Sequence, residues 1–246
     1  MSGHSKWANI KNKKAKTDAA KGKIFTKIGR ELAVAAKAGA DPSTNSKLAD
    51  VIAKAKAANM PNDNIQRSIK KAAGELGNVN YETKIYEGYG VGGSAVIVKT
   101  LTDNVNRTVG EVRHIFDKYG GNMGTTGSVS YMFENKGVII IERTVSLDED
   151  TVMEMALDAG ADDVIVEDDC YEVRTAPSDF SAVRKYFEEK GITLEDADVL
   201  MVPNDKIDLN ADQMVSFMKM LDAFDDNDDV QDVYHNVNLP EEDEDE

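Results

Sequence analysis

Between Gly137 and Val202 the hydrophobic spacing of this chain switches repeatedly between period two and period 3.6. The order is β-α-β-β-α-β, which leaves few folds open. Gly137–Glu142 is β-rich, and Ser146-Leu-Asp-Glu149 has the form of a capping box at a helix start. Asp163–Val166 and Tyr171–Thr175 flank Asp168-Asp169 as a hairpin would. Ser178–Lys190 reads as a helix stopped by Gly191, and Asp198–Val202 as the last strand. The same order recurs around this block in two pieces. Ser94–Leu101 is a strand, a helix capped at Asp103 buries Val105, Val109, Val112 and Phe116, and Ser128–Phe133 alternates as a strand. Later come a short strand near Lys206–Leu209, a helix Asn210–Ala223 with an Asn210 and Gln213 capping pair, and a strand Val230–Val237. The pattern predicts one ferredoxin-like module inserted into another.

The N-terminal part has helical spacing only. Three helices are expected, over about 17–38, 46–59 and 62–73. Ile24, Ile28 and Leu32 mark the buried stripe of the first, and Leu48, Val51, Ile52 and Ala55 that of the second. The fold class is therefore α+β: a three-helix domain followed by two ferredoxin-like α/β domains, one inserted in the other. The expected layout is a mobile basic arm (1–16), a helical domain (17–78), an α/β domain (79–134 plus 205–239), an inserted domain (135–204) and an acidic tail (240–246).

Charge is divided along the chain. Residues 1–75 carry sixteen Lys/Arg against six Asp/Glu, and the remainder carries a net charge of −26. Screening confines electrostatic influence to about 8 Å at physiological salt, so the basic segment can meet a polyanion that the acidic body repels. Lys6, Lys11, Lys13, Lys14 and Lys16 crowd the arm, with Trp7 beside Lys6. Lys21 follows. Lys23, Lys27 and Arg30 are spaced i, i+4, i+7 and line one face of the first helix, as Arg67, Lys70 and Lys71 do on the third. These thirteen residues are the candidate nucleic-acid contacts. Lysines neutralise phosphates without reading bases, and an exposed indole can stack on an unpaired base.

Other chemistry is poorly supported. Gly88-Tyr-Gly90-Val-Gly-Gly93 matches a dinucleotide fingerprint, but a strand follows where a phosphate-binding helix should open. It reads as a turn. Gly120–Gly127 is glycine-rich, and its backbone N–H groups could form an anion nest. The histidines, His4, His114 and His235, lie far apart, and the single cysteine, Cys170, follows Glu167-Asp168-Asp169. That spacing suits neither a zinc site nor a reactive thiol. No nucleophile has an identifiable base partner. The expectation is a protein with no catalytic residues, no cofactor, no metal and no small-molecule substrate. No apolar run approaches the roughly 20 residues of a membrane span, and one cysteine with no apolar signal-peptide core near Met1 leads to the expectation of a reducing, cytoplasmic setting.

Several segments carry a resemblance. They are Met1-Ser-Gly-His-Ser-Lys-Trp-Ala-Asn-Ile-Lys11, Asn59-Met-Pro-Asn-Asp-Asn-Ile65, Tyr86-Glu-Gly-Tyr-Gly90, Leu101-Thr-Asp-Asn104, Asn106-Arg-Thr108 and Gly127-Ser-Val129. Through them the chain resembles the YebC/PmpR family over about residues 1–239. Val91 stands where proline is usual, and Val105 where a basic residue is common. The resemblance implies an N-terminal helical domain plus two α/β domains, and one of two activities. Some members are described as DNA-binding transcriptional regulators. Others act in translation on the ribosome, contacting ribosomal or transfer RNA where proline runs stall synthesis. Bottom-up, the lysine-rich arm favours shape-tolerant phosphate contact over operator reading. The expected partner is nucleic acid, DNA or RNA.

Residues 240–246 are almost wholly acidic and carry no apolar residue for packing. Their deletion should leave the melting temperature unchanged; a drop would show that the tail is packed.

Overall fold

The computed structural model of the chain describes residues 18–72, 80–144 and 147–240. Three helices come first, α1 (Asp18–Ala36), α2 (Ser46–Ala57) and α3 (Asn62–Ala72). The four-residue recurrence of Ile24, Ile28 and Leu32 gives α1 a single apolar stripe. It closes on Leu48 and Ala55 of α2, on Ile65 and Ile69 of α3, and on Met60 between them. Asn45 joins the first two helices. Its Oδ1 accepts the Leu48 N–H at 3.1 Å, and its amide donates to the carbonyls of Ala35 and Gly39, both at 2.8 Å. One side chain thus ends α1 and starts α2.

The rest is α/β. In chain order it comprises β1 (Glu82–Tyr89), β2 (Ala95–Thr102), α4 (Val105–Lys118), β3 (Asn122–Met123) and β4 (Phe133–Glu142). Then follow α5 (Glu149–Ala159), β5 (Asp163–Val166), β6 (Cys170–Thr175) and α6 (Phe180–Glu189). The last elements are β7 (Asp196–Pro203), α7 (Ala211–Asp225) and β8 (Val230–His235). Two four-stranded sheets form, ordered β3-β1-β2-β8 and β5-β6-β4-β7. All paired neighbours are antiparallel.

In the first sheet Val96 and Val98 point toward α4 and α7, where Val112, Phe116, Phe217, Met220 and Phe224 complete the core. Ala95 and Ile97 point the other way, against Val129 and Phe133. In the second, Ile139, Ile141, Tyr171 and Val173 bury α5 and α6 through Val152, Ala156, Phe180, Val183 and Phe187. The second sheet has the predicted ferredoxin-like order. The chain enters it at Phe133 and leaves at Pro203, and these two residues are register partners. Adjacent entry and exit let one module sit inside another.

Five expectations are corrected. Lys206–Leu209 does not supply a sheet strand; only a parallel bridge between Ile207 and Val237 forms there. Its place is held by β1, which pairs with β2 over eight residues. A hairpin neighbour closes a far shorter loop than a segment a hundred residues away. Ser128–Phe133 is not a strand either: Ser130–Met132 is a 3-10 turn and β4 begins at Phe133. The N–H groups of Gly127, Val129 and Ser130 are already bound to the Glu87 carboxylate, at 2.8, 2.9 and 2.8 Å, and so cannot serve a ladder. Gly137, expected to start a strand, lies inside β4, where an added Cβ would strike Thr175 and Phe180. Two helix caps also move. Asn104 rather than Asp103 caps α4, accepting the Arg107 N–H at 3.1 Å. Asp148 caps α5 through the Thr151 N–H at 2.8 Å, while Ser146 lies outside the described residues. The Asn210 and Gln213 capping box at α7 forms as expected.

The core of α1–α3 shares no residue with the sheet cores. Leu32→Ala should therefore cost about 2–5 kcal/mol in the helical layer alone. Hydrogen exchange should show protection falling in α1–α3 while β2 and β4 keep theirs.

Candidate nucleic-acid interface

Six of the expected contacts, Lys6, Trp7, Lys11, Lys13, Lys14 and Lys16, lie outside the described residues. The others fall into two groups with opposite surroundings. On α1, Lys21 is exposed. The i, i+4, i+7 face beyond it is turned toward the same chain. Lys23 Nζ lies 2.6 Å from Asp226 Oδ1, and Lys27 Nζ 3.0 Å from Asp225 Oδ1, both at the end of α7. Arg30 Nη1 donates to Asp229 Oδ1 at 2.7 Å and to the Leu101 carbonyl at 3.0 Å.

Asp229 is the deepest of these carboxylates, with its side chain 4% exposed. Besides Arg30 it accepts from Arg107 Nη2 at 2.6 Å, Thr108 Oγ1 at 2.7 Å and Thr102 Oγ1 at 3.1 Å. Burial pushes its carboxyl up, but the donors Arg107, Thr108, Arg30 and Thr102 outweigh that and hold it at about 2. Its own backbone carbonyl accepts the Leu101 N–H at 2.8 Å. The Leu101-Thr-Asp-Asn104 and Asn106-Arg-Thr108 segments are thereby folded around one acid. Arg107 is held by Asp229 and Asp103.

α2 meets the inserted module in the same manner. Lys54 Nζ lies 2.6 Å from Asp198 Oδ2 on β7 and 3.2 Å from Glu31 Oε2 on α1. Arg184 of α6 reaches Asp50 at 3.0 Å. Burial raises the Glu31 carboxyl, and the nearby Asp232 and Asp198 charges add to that against Lys54 and Lys99.

α3 differs. Arg67, Lys70 and Lys71 are exposed and make no ion pair among the described residues. Gln66 is exposed beside them. α2 and α3 are separated by the four residues 58–61, the length of a helix-turn-helix link.

The glycine-rich segment does form a nest, but an internal carboxylate fills it. Burial opposes ionisation of Glu87, and the N–H groups of Gly127, Val129 and Ser130 overcome this and lower its pKa. Gly88 follows because an added Cβ would lie 2.6 Å from the Asn122 carbonyl oxygen. Tyr86-Glu-Gly and Gly127-Ser-Val129 are two halves of one loop anchor. Gly90–Gly93 is the β1–β2 turn, so the fingerprint has no helix to complete it. Cys170 is buried, and burial with Asp169 and Glu167 pushes its thiol up to about 12. Among the described residues no His, Cys, Asp and Glu cluster suits a metal ion, and no helix is long and apolar enough to cross a membrane.

Family models described as TACO1/YebC protein N-terminal domain and TACO1/YebC second and third domain match residues 5–75 and 81–237. The chain belongs to the TACO1/YebC family. A probable transcriptional regulatory protein of Acetivibrio thermocellus is 61% identical over 238 residues, spanning 96% of this chain and 98% of that protein. Another, from Clostridium novyi, is 58% identical over 243 residues, spanning 98% and 99%. The crystal structure of a conserved hypothetical protein from Aquifex aeolicus matches with a TM-score of 0.83 at 41% identity, covering 94% of this chain and 96% of that one.

In this TACO1/YebC protein the i, i+4, i+7 spacing of basic residues on α1 was legible, but not what it faces. The carboxylates that receive it lie about two hundred residues away, among forty-five Asp and Glu. Glu87 and Asp229 were missed, since a buried acid shows no local pattern. The folded carboxyl of Asp229 titrates below its unfolded counterpart, whose value is about 3.9. The stability it confers is complete above about pH 4 and is lost as pH falls toward 2. Asp229→Asn should cost about 3 kcal/mol at pH 7 by leaving Arg30 uncompensated. In urea titrations the gap from the parent protein should narrow by pH 2.5; a constant gap would refute the ionic account.

Proposed function

We propose that this protein is a non-enzymatic, nucleic-acid-binding regulator of gene expression, with α3 and the basic arm as its contact surface. The observation that carries this is the contrast between α1 and α3. Lys23, Lys27 and Arg30 of α1 face carboxylates of the same chain, whereas Arg67, Lys70 and Lys71 are exposed and make no ion pair among the described residues. The arm adds five lysines from the same basic third of the chain. Its relatives' names, probable transcriptional regulatory protein, support a role in transcription. Gln66 and Arg67 are side chains able to address adenine and guanine edges, and a short α2–α3 link suits a helix laid in a major groove. The structural roles of Glu87 and Asp229, and the high pKa of Cys170, fit a protein without catalytic chemistry.

A second function, as a translation factor on ribosomal or transfer RNA, is favoured by Trp7 and by the predominance of lysine in the arm. Fluorescence anisotropy with duplex DNA and with single-stranded RNA, each about 20 nucleotides long, separates the two. If α3 contacts three phosphates, Arg67→Ala/Lys70→Ala/Lys71→Ala should reduce the log-log salt slope for duplex DNA by about 2.7. Replacing Lys11, Lys13, Lys14 and Lys16 with Ala should lower it by roughly one unit per lost contact. Unchanged slopes in both variants would refute this interface. A loss confined to RNA would favour translation.

A further inference from the structure

We infer that the inward face of α1, Lys23 with Lys27, is a second polyphosphate-binding surface, covered in the resting protein by the acidic turn Asp225–Asp226. The inference rests on the nucleic-acid function proposed above and adds a site that opens.

Three observations meet here. First, the cover has phosphate-like chemistry. Two carboxylates in succession, at 3.0 and 2.6 Å from two lysines one helical turn apart, occupy the positions that backbone phosphates would take. Second, the closure is graded. The Arg30–Asp229 pair is buried, with side chains 16% and 4% exposed. At the outer end Lys23 and Asp226 are 43% and 74% exposed. The outer pairs can part while the inner one stays, so Arg30 is the pivot. Third, α1–α3 have a core of their own, and named polar contacts tie them to both sheet modules. Exposed ion pairs are weakly held and screened by salt. A polyphosphate that already touches α3 and the arm is at high effective concentration near α1, and it can displace the two carboxylates.

Rotation about Arg30 would move α1 and α3 together, as one core requires, and would uncover the α1 cations as a second contact patch beside the arm and α3. The acidic turn then does more than repel nucleic acid from the body. It withholds part of the binding surface until a ligand dense in phosphate competes for it, which discriminates against isolated anions.

The test uses the full chain and fluorescein-labelled single-stranded RNA and duplex DNA of about 20 nucleotides. Asp225→Asn/Asp226→Asn removes the cover's charge and leaves the buried Asp229 intact. It should tighten binding, and for two additional phosphate contacts the log-log salt slope should steepen by about 1.8 with duplex DNA and about 1.4 with single-stranded RNA. The added affinity should thus shrink about tenfold between 50 and 200 mM monovalent salt. Adding Lys23→Ala/Lys27→Ala to that variant should return both affinity and slope to those of the parent. An unchanged affinity in the Asn variant, or a gain that survives loss of the two lysines, overturns the inference; the second result would assign the gain to net charge alone. If the parent protein binds neither probe, the proposed function fails as well. If the parent binds and the Asn variant binds identically, only the covered surface fails.

Discussion

The arrangement of the helical layer against the first sheet depends on a single buried carboxylate. Asp229 accepts hydrogen bonds from Arg30 on α1, Thr102 at the end of β2, and Arg107 and Thr108 on α4. An unpaired buried charge is costly, and four donors from three elements leave it few other positions. Arg30 also donates to the Leu101 carbonyl, and Leu101 in turn donates to the Asp229 carbonyl. The strand end, the helix start and the helical layer are thus registered on one atom group. The other ion pairs between the helical layer and this module, Lys23–Asp226 and Lys27–Asp225, are more exposed, so the buried contact does most to set the angle at which they meet.

Much of what looked like a functional signature has a structural explanation. The segment around Arg107 is organised by Asp229, and Glu87 gathers the backbone of the glycine-rich loop. Each acid is buried and ionised because its donors outweigh its desolvation. The division of charge along the sequence likewise has an internal use. Part of the basic excess in the first third neutralises the acidic body, through Lys23, Lys27, Arg30 and Lys54. Arg67, Lys70 and Lys71 on α3, which make no ion pair among the described residues, face outward.

The sequence was most legible where local chemistry decides structure. The helix α7 has its capping box, α2 keeps its buried Leu48 and Ala55, and the inserted module has the strand order its pattern predicts. It was least legible where a distant partner decides. Glu82–Tyr89 contains charges and glycine, and it becomes a strand because β2 offers eight residues of pairing. Ser128–Phe133 alternates as a strand should, yet a carboxylate forty residues upstream takes its donors. The candidate site follows the same division. Helical spacing revealed both basic faces, but only the folded chain shows that one is covered and the other open.

The position of β8 has a consequence for how the molecule is made. This strand pairs with β2, which is synthesised more than a hundred residues earlier. The inserted module can complete its own sheet as soon as β7 emerges, because both of its boundary strands are then present. The outer sheet has to wait, with the Val96 and Val98 face uncovered, until α7 and β8 have left the ribosome. Asp229 arrives in that same last segment. A nascent chain therefore carries Lys23, Lys27 and Arg30 without their carboxylate partners until the segment 225–229 is made, and that segment converts it into the closed molecule.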